Sequence, residues 1–175
     1  AECHKLMFTV RIPRLSEEHI KWCLDLGVRE IQIPNIVTPS DAREALRMAY
    51  FSPLGQRGLC RFVRAAQFSV LDKDAYLREA NQLTRLVLQL EGAEALQCLP
   101  EILEAIETSR PSRPSIFIGP YDLSQSMGVP GEIWHDRVLN VMHAAIQCCH
   151  TQGFSVGTFT DAPRGVHYWR KQRVD

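Results

Sequence analysis

Two short apolar stretches, each closed by a carboxylate, limit what this chain can fold into. They are Leu86 to Gly92 (LVLQLEG), which ends at Glu91, and Ser115 to Gly128 (SIFIGPYDLSQSMG), whose apolar run meets Asp122. Runs this short and this apolar predict strands buried on both faces, where a charge has no place, so each carboxylate belongs just past a strand end. The segment between them, Ala93 to Ser109, is long enough for a helix. Strand, helix, strand predicts a βαβ unit whose parallel strands bring both carboxylates to one carboxyl-terminal rim. α/β proteins place their chemistry on that rim.

The same alternation runs through most of the chain. Leu6 to Pro13 (LMFTVRIP) predicts a first strand, and its Arg11 is a third charge at a strand end. Ser16 to Leu26 predicts a helix with Ser16 as N-cap, acidic Glu17 and Glu18 in the first turn, and Gly27 at its end. Val28 to Ile36 predicts a strand that Pro34 interrupts, and Thr38-Pro39-Ser40-Asp41 opens a helix with a capping box. From Phe51 to Ala80 the alternation breaks into an irregular loop and a short basic helix, followed by a helix around Ala75 to Leu83. An excursion of that length points to function or an interface. After the Leu86 strand come a helix from Ala93 that Pro100 kinks or restarts, the Ser115 strand, and a long amphipathic helix carrying Ile133 to Cys149 and ending at Gly153. A strand over Phe154 to Phe159 and a helix over Pro163 to Gln172 complete the chain.

Strands alternating with helix-length crossovers predict a parallel sheet with outer helices in one domain spanning residues 1–175. Five strands are expected, whereas a closed eight-stranded barrel takes about 250 residues. The composition, 45% apolar and 23% charged, is that of an ordinary globular domain. Twenty basic residues balance twenty acidic ones, so the charge recommends neither nucleic acid nor an anionic membrane as partner. Apolar runs too short to span a bilayer and a start, AECHKLMF, unlike a signal peptide lead to the expectation of a cytoplasmic protein. The six cysteines show no metal or disulfide spacing and read as buried thiols.

Glu91 and Asp122 are the hard oxygen donors that a divalent cation such as Mg²⁺ or Mn²⁺ takes, with water and a chelating substrate completing its shell. The alternatives for this pair are a helix cap or an ion pair. Arg11 suits a substrate oxyanion, or else snorkels at its strand end.

Four motifs then make the pattern specific: V-R-x-P at Val10 to Pro13, S-P-L-G-x-R-G at Ser52 to Gly58, Gln89-x-Glu91, and F-I-G-P-x-D-L-S-x-S-M-G at Phe117 to Gly128. Together, over about Phe8 to Thr160, they resemble the metal-dependent pyruvate aldolase family. It includes the 2,4-dihydroxyhept-2-ene-1,7-dioate and 2-keto-3-deoxysugar-acid aldolases and relatives of the citrate lyase β-subunit. The resemblance implies a TIM-type barrel that cleaves a 2-keto-4-hydroxy acid to pyruvate and an aldehyde through a metal-stabilised enolate. Separately, five strands leave two open sheet edges, from which a homo-oligomer or a marginally stable chain is expected. It implies that Glu91 and Asp122 hold Mg²⁺, Mn²⁺ or Co²⁺ and that Arg11 stabilises the keto oxygen. Gln89 becomes a hydrogen-bond partner of substrate or metal-holding carboxylate, backbone around Tyr121 and Asp122 holds the substrate carboxylate, and Gly119-Pro120 lets the backbone approach the ligand.

The chain also departs from the family's pattern. The acid-base histidine expected on an earlier strand would fall before Ala1, and the last strand would fall after the chain, so an incomplete barrel of strands three to seven is expected. Tyr121 stands where the family typically has alanine and is expected to narrow the pocket. His135, His143, His150 and His167 are expected on helices, and Arg57 in a structural or interface role. Two other readings of the same scaffold are a catalytically impaired relative that binds only metal, 2-keto acid or a partner subunit, and a citrate-lyase-like enzyme acting on acyl-CoA.

Overall fold

A computed structural model of the chain describes residues 7–107 and 113–175. Five strands, β1 (Thr9–Arg11), β2 (Glu30–Ile33), β3 (Arg85–Leu90), β4 (Ser115–Ile118) and β5 (Val156–Thr158), form one sheet in chain order. All four pairings are parallel. Sequential order with right-handed crossovers keeps every helix on one face, which makes this sheet an arc of a (β/α)8-type barrel rather than a doubly wound fold. Among the described residues β1 and β5 each leave one edge unpaired.

The helices form where local chemistry favours them. Ser16 caps α1 (Glu17–Asp25) by accepting from the His19 N–H. Thr38 and Asp41 close a reciprocal capping box on α2 (Pro39–Ala49). Asp72 caps α3 (Lys73–Leu83). Pro100 falls in the first turn of a restarted helix, so the expected single helix from Ala93 becomes α4 (Ala93–Gln97) and α5 (Leu99–Ile106), while Ser109, the expected end, lies outside the described residues. A short α6 (Pro120–Ser126) follows β4 directly, then α7 (Asp136–Thr151) and α8 (Pro163–Lys171). Ile133 precedes α7, and His135 is its N-cap rather than a helical residue. None of the described helices is long and apolar enough to cross a membrane.

Alternation along the strands sorts the sheet into two faces. Ile31, Ile33, Leu86, Leu88, Leu90, Ile116, Ile118 and Val156 are fully buried beneath Ile102, Leu103, Met142 and their helices. Arg11, Gln32, Val87, Gln89 and Phe117 share the opposite face by register. That face is only partly covered at Val87 of β3 and at Ser115 and Phe117 of β4, against the expectation that these two strands are buried on both sides, because five strands do not wrap around to shield it.

The excursion after α2 is fixed by one cation. Arg57 is 6% exposed, pairs with Asp25 at 2.8 Å and lies over the Phe51 ring at 4.4 Å, with its Tyr76 neighbour at 3.5 Å. These contacts make Arg57 a structural residue joining the loop to α1 and α3. The short helix expected there is a 3₁₀ segment, Arg64–Ser69, broken by left-handed Gln67 and Phe68. Arg57→Ala should destabilise the chain by about 2 kcal/mol in urea unfolding, because the Phe51 ring loses its cover and Asp25 keeps only its Lys21 partner.

Candidate active site

The central strand β3 delivers the first carboxylate. Its ladder ends at Leu90, and Glu91 follows immediately, 8% exposed at the carboxyl rim. The second arrives differently from the expected strand end: β4 stops at Ile118, Gly119 caps α6, and Asp122 sits exposed in that helix's first turn. There Asp122 forms a side-chain contact with Glu91. Burial first, and then the Asp122 carboxyl beside it, pushes the Glu91 carboxyl above its ordinary range, while the Asn35 N–H and the Arg11 charge act the other way.

Each oxygen of Glu91 has a named donor. Oε1 accepts the Asn35 backbone N–H at 2.8 Å, and Oε2 accepts Gln89 Nε2 at 2.7 Å. The amide oxygen of Gln89 in turn accepts from Gln32 Nε2 at 2.6 Å and from Arg11 Nε at 3.2 Å. The structure therefore brings Arg11, Gln89, Glu91 and Asp122 into one array across β1, β2, β3 and α6. Gly119 contributes by its smallness. A Cβ there would stand 2.9 Å from Glu91 Cβ, so the glycine lets the start of α6 lie close against the Glu91 side chain. Pro120 is buried at the start of α6, where its fixed φ suits the first turn. Tyr121 is 43% exposed, with its ring 5.7 Å from that of Phe159 just beyond β5, so it walls one side of the rim.

Two members of the array, Gln32 and Asn35, escaped the reading of the sequence. The trace of Gln32 was a polar side chain alternating with Ile31 and Ile33; that of Asn35 was its place after Pro34. Asn35 takes a left-handed backbone, φ +54°, which asparagine tolerates, and this turns its N–H toward Glu91. The described histidines lie on α1, at the start of α7, within α7 and on α8.

Two neighbouring carboxylates, one of them buried, form a charge arrangement that Arg11 offsets only in part, since it is exposed and engages Gln89. Among the described residues no group of three or more His, Cys, Asp and Glu side chains gathers at one point. The donor set is therefore two hard oxygens with open positions, which fits a hydrated divalent cation that completes its shell from substrate.

Residues 1–173 match the family described as HpcH/HpaI aldolase/citrate lyase. The chain is 35% identical over 143 residues to a 2-keto-3-deoxy-L-rhamnonate aldolase of Salmonella schwarzengrund (strain CVM19633), covering 81% of this chain and 51% of that protein. It thus spans about half the length of the curated relatives it matches. A crystal structure of an HpcH/HpaI aldolase/citrate lyase family protein from Burkholderia cenocepacia J2315 superposes with a TM-score of 0.85 at 31% identity, covering 95% of this chain and 63% of that one. An HpcH/HpaI aldolase from Desulfitobacterium hafniense DCB-2 also gives 0.85, at 26% identity, covering 99% and 64%.

The raised Glu91 carboxyl has a thermodynamic consequence. The stability it contributes is fully present below the ordinary value of 4.5 and is lost as pH rises through the higher folded-state value, because the ionised form is then buried beside Asp122. Without added metal, the parent should gain a few degrees in Tm relative to Glu91→Gln as the pH falls from neutral to the ordinary carboxylate range, because only the parent can take up a proton there. Calorimetry reads that change separately from the fixed cost of replacing one of the two accepting oxygens with a donor.

Proposed function

The chain belongs to the HpcH/HpaI aldolase/citrate lyase family, and on that premise we propose that it serves as the site-bearing part of an aldolase cleaving a 2-keto-4-hydroxy acid to pyruvate and an aldehyde. The observation that carries this reading is the contact between Glu91 and Asp122, with Arg11 and Gln89 beside it. Two ionised carboxylates side by side repel each other unless a proton or a metal cation comes between them.

In this reading Glu91 and Asp122 hold a divalent cation, which when bound supplies Lewis-acid polarisation of the substrate's keto group. The remaining work falls to the chain. Cleavage breaks the bond between C3 and C4: the hydroxyl proton on C4 passes to a water molecule, the aldehyde departs, and the electron pair stays on the three-carbon fragment, spread onto its C2 oxygen. Arg11 reaches the rim from β1 and offers its guanidinium to that oxygen as its charge grows. Gln89 holds Glu91 in place. The opening turn of α6, at Tyr121 and Asp122, receives the substrate carboxylate, and the rings of Tyr121 and Phe159 screen the aldehyde side from water. A proton then returns to C3 to give pyruvate.

The unpaired edges of β1 and β5 support the further reading that copies of this chain associate. Sedimentation at several concentrations should show an assembly larger than one chain; a single species of about one chain's mass throughout would remove that part.

Two measurements test the chemistry. Mn²⁺ affinity, read from water-proton relaxation, should fall at least tenfold in both Glu91→Gln and Asp122→Asn; parent-like binding by both would show the site to be misassigned. Exchange of the pyruvate methyl protons into D₂O, followed by NMR, should slow about tenfold in Arg11→Lys while Mn²⁺ affinity stays within about twofold, because lysine lacks the planar fork.

A further inference from the structure

The side-chain amide of Gln89 has two ends that are alike in shape and opposite in chemistry. Its value to Glu91 depends on which end faces the carboxylate. As it stands, Nε2 donates to Glu91 Oε2 at 2.7 Å, while Oε1 accepts from Gln32 Nε2 at 2.6 Å and from Arg11 Nε at 3.2 Å. Turned over, the amide would aim its NH₂ at two donors and its oxygen at a carboxylate. The contacts with the Glu91 carboxylate and the Arg11 guanidinium would become repulsive, and the one with Gln32 would survive only if Gln32 turned over as well.

We propose that Gln32 is a positioning residue for the cation site: its amide N–H fixes the orientation of Gln89, and through Gln89 the aim of the Glu91 carboxylate. This rests on the reading of Glu91 and Asp122 as the cation's holders. Arg11 cannot carry the task alone. It is exposed, its bond to Gln89 is the longer of the two, and in the proposed reaction a substrate oxygen draws on the same guanidinium. Gln32 has no such competing duty. It lies half-buried on the neighbouring strand, in register with Arg11, and reaches diagonally to Gln89.

The sequence of β2 supports the same assignment. Ile31 and Ile33 are fully buried against the helices, so the strand's packing is secured by its other face. At position 32 an aliphatic or β-branched side chain would suit a strand better than an unbranched amide. Nothing in the packing of β2 asks for a donor there. The buried oxygen of Gln89, whose residue is 7% exposed, does.

The test compares Gln32→Met, which keeps length and removes the donor, with Gln89→Met and the double variant. Mn²⁺ affinity is the first readout. Gln32→Met should bind Mn²⁺ about fivefold more weakly, less than the ten- to hundredfold that a direct partner of a ligating carboxylate commands. The double variant should be no weaker than Gln89→Met alone, since Gln32 acts through Gln89. The second readout needs no metal: the ¹⁵N-labelled side-chain amide of Gln89 should give one well-defined pair of proton signals in the parent and a second, flipped pair in Gln32→Met. Should that variant fail to fold, the parent still decides, because a through-hydrogen-bond coupling must join the Gln32 amide nitrogen to the Gln89 side-chain carbonyl carbon. Unchanged affinity in Gln32→Met, additive losses in the double variant, or absence of that coupling overturns the proposal alone. A parent that binds no Mn²⁺ overturns it together with the proposed function.

Discussion

A carboxylate at the end of the central strand, almost wholly removed from solvent, governs this structure. Glu91 could escape its discomfort by taking up a proton or by swinging outward; the surrounding residues restrain it instead. A backbone N–H on one oxygen and an amide N–H on the other hold the group in a fixed direction, toward Asp122. In the proposed reading a cation would relieve the electrostatic strain of this arrangement, and its binding would draw on a geometry that is already formed rather than on one that must be ordered.

The scaffold explains how so small a chain achieves this. Parallel strands in sequential order bring the ends of β1, β2 and β3 side by side, and each contributes a different kind of group: guanidinium, amide, and amide followed by carboxylate. The helix-facing residues of β2, β3 and β4 are aliphatic and carry much of the stability. The other face is released from packing duty and can be polar. Division of labour between the two faces of one strand, visible in the alternation of Ile31, Gln32 and Ile33, is what allows a chemically demanding array to sit on a stable core.

Much of this was written locally in the sequence. The strand and helix succession, the caps at Ser16 and Thr38, the restart at Pro100 and the meeting of Glu91 with Asp122 depend on short-range patterns that a single chain displays. Other parts depend on contacts across the sheet. Gln32 meets Gln89 only because β2 pairs with β3 in one particular register, and a shift of one residue would turn it toward the helices. The helix α6 was hidden inside a run that reads as strand, since Ser115 to Gly119 is apolar enough to mask the Pro120 that begins a new element. The reason for Gly119 was also invisible, because it lies in the side chain of a residue from another strand.

Gly119 has a longer reach than its size suggests. The atom that forbids a side chain there is the Cβ of Glu91, which would remain if the carboxylate were exchanged for any residue other than glycine. The constraint thus comes from the distance between two strand tips and not from the charge between them. A descendant that abandoned its acids would still inherit the glycine, as a building keeps its doorway after the trade inside has changed. At this point of the chain the glycine answers to the architecture alone, whatever work the pair of acids performs.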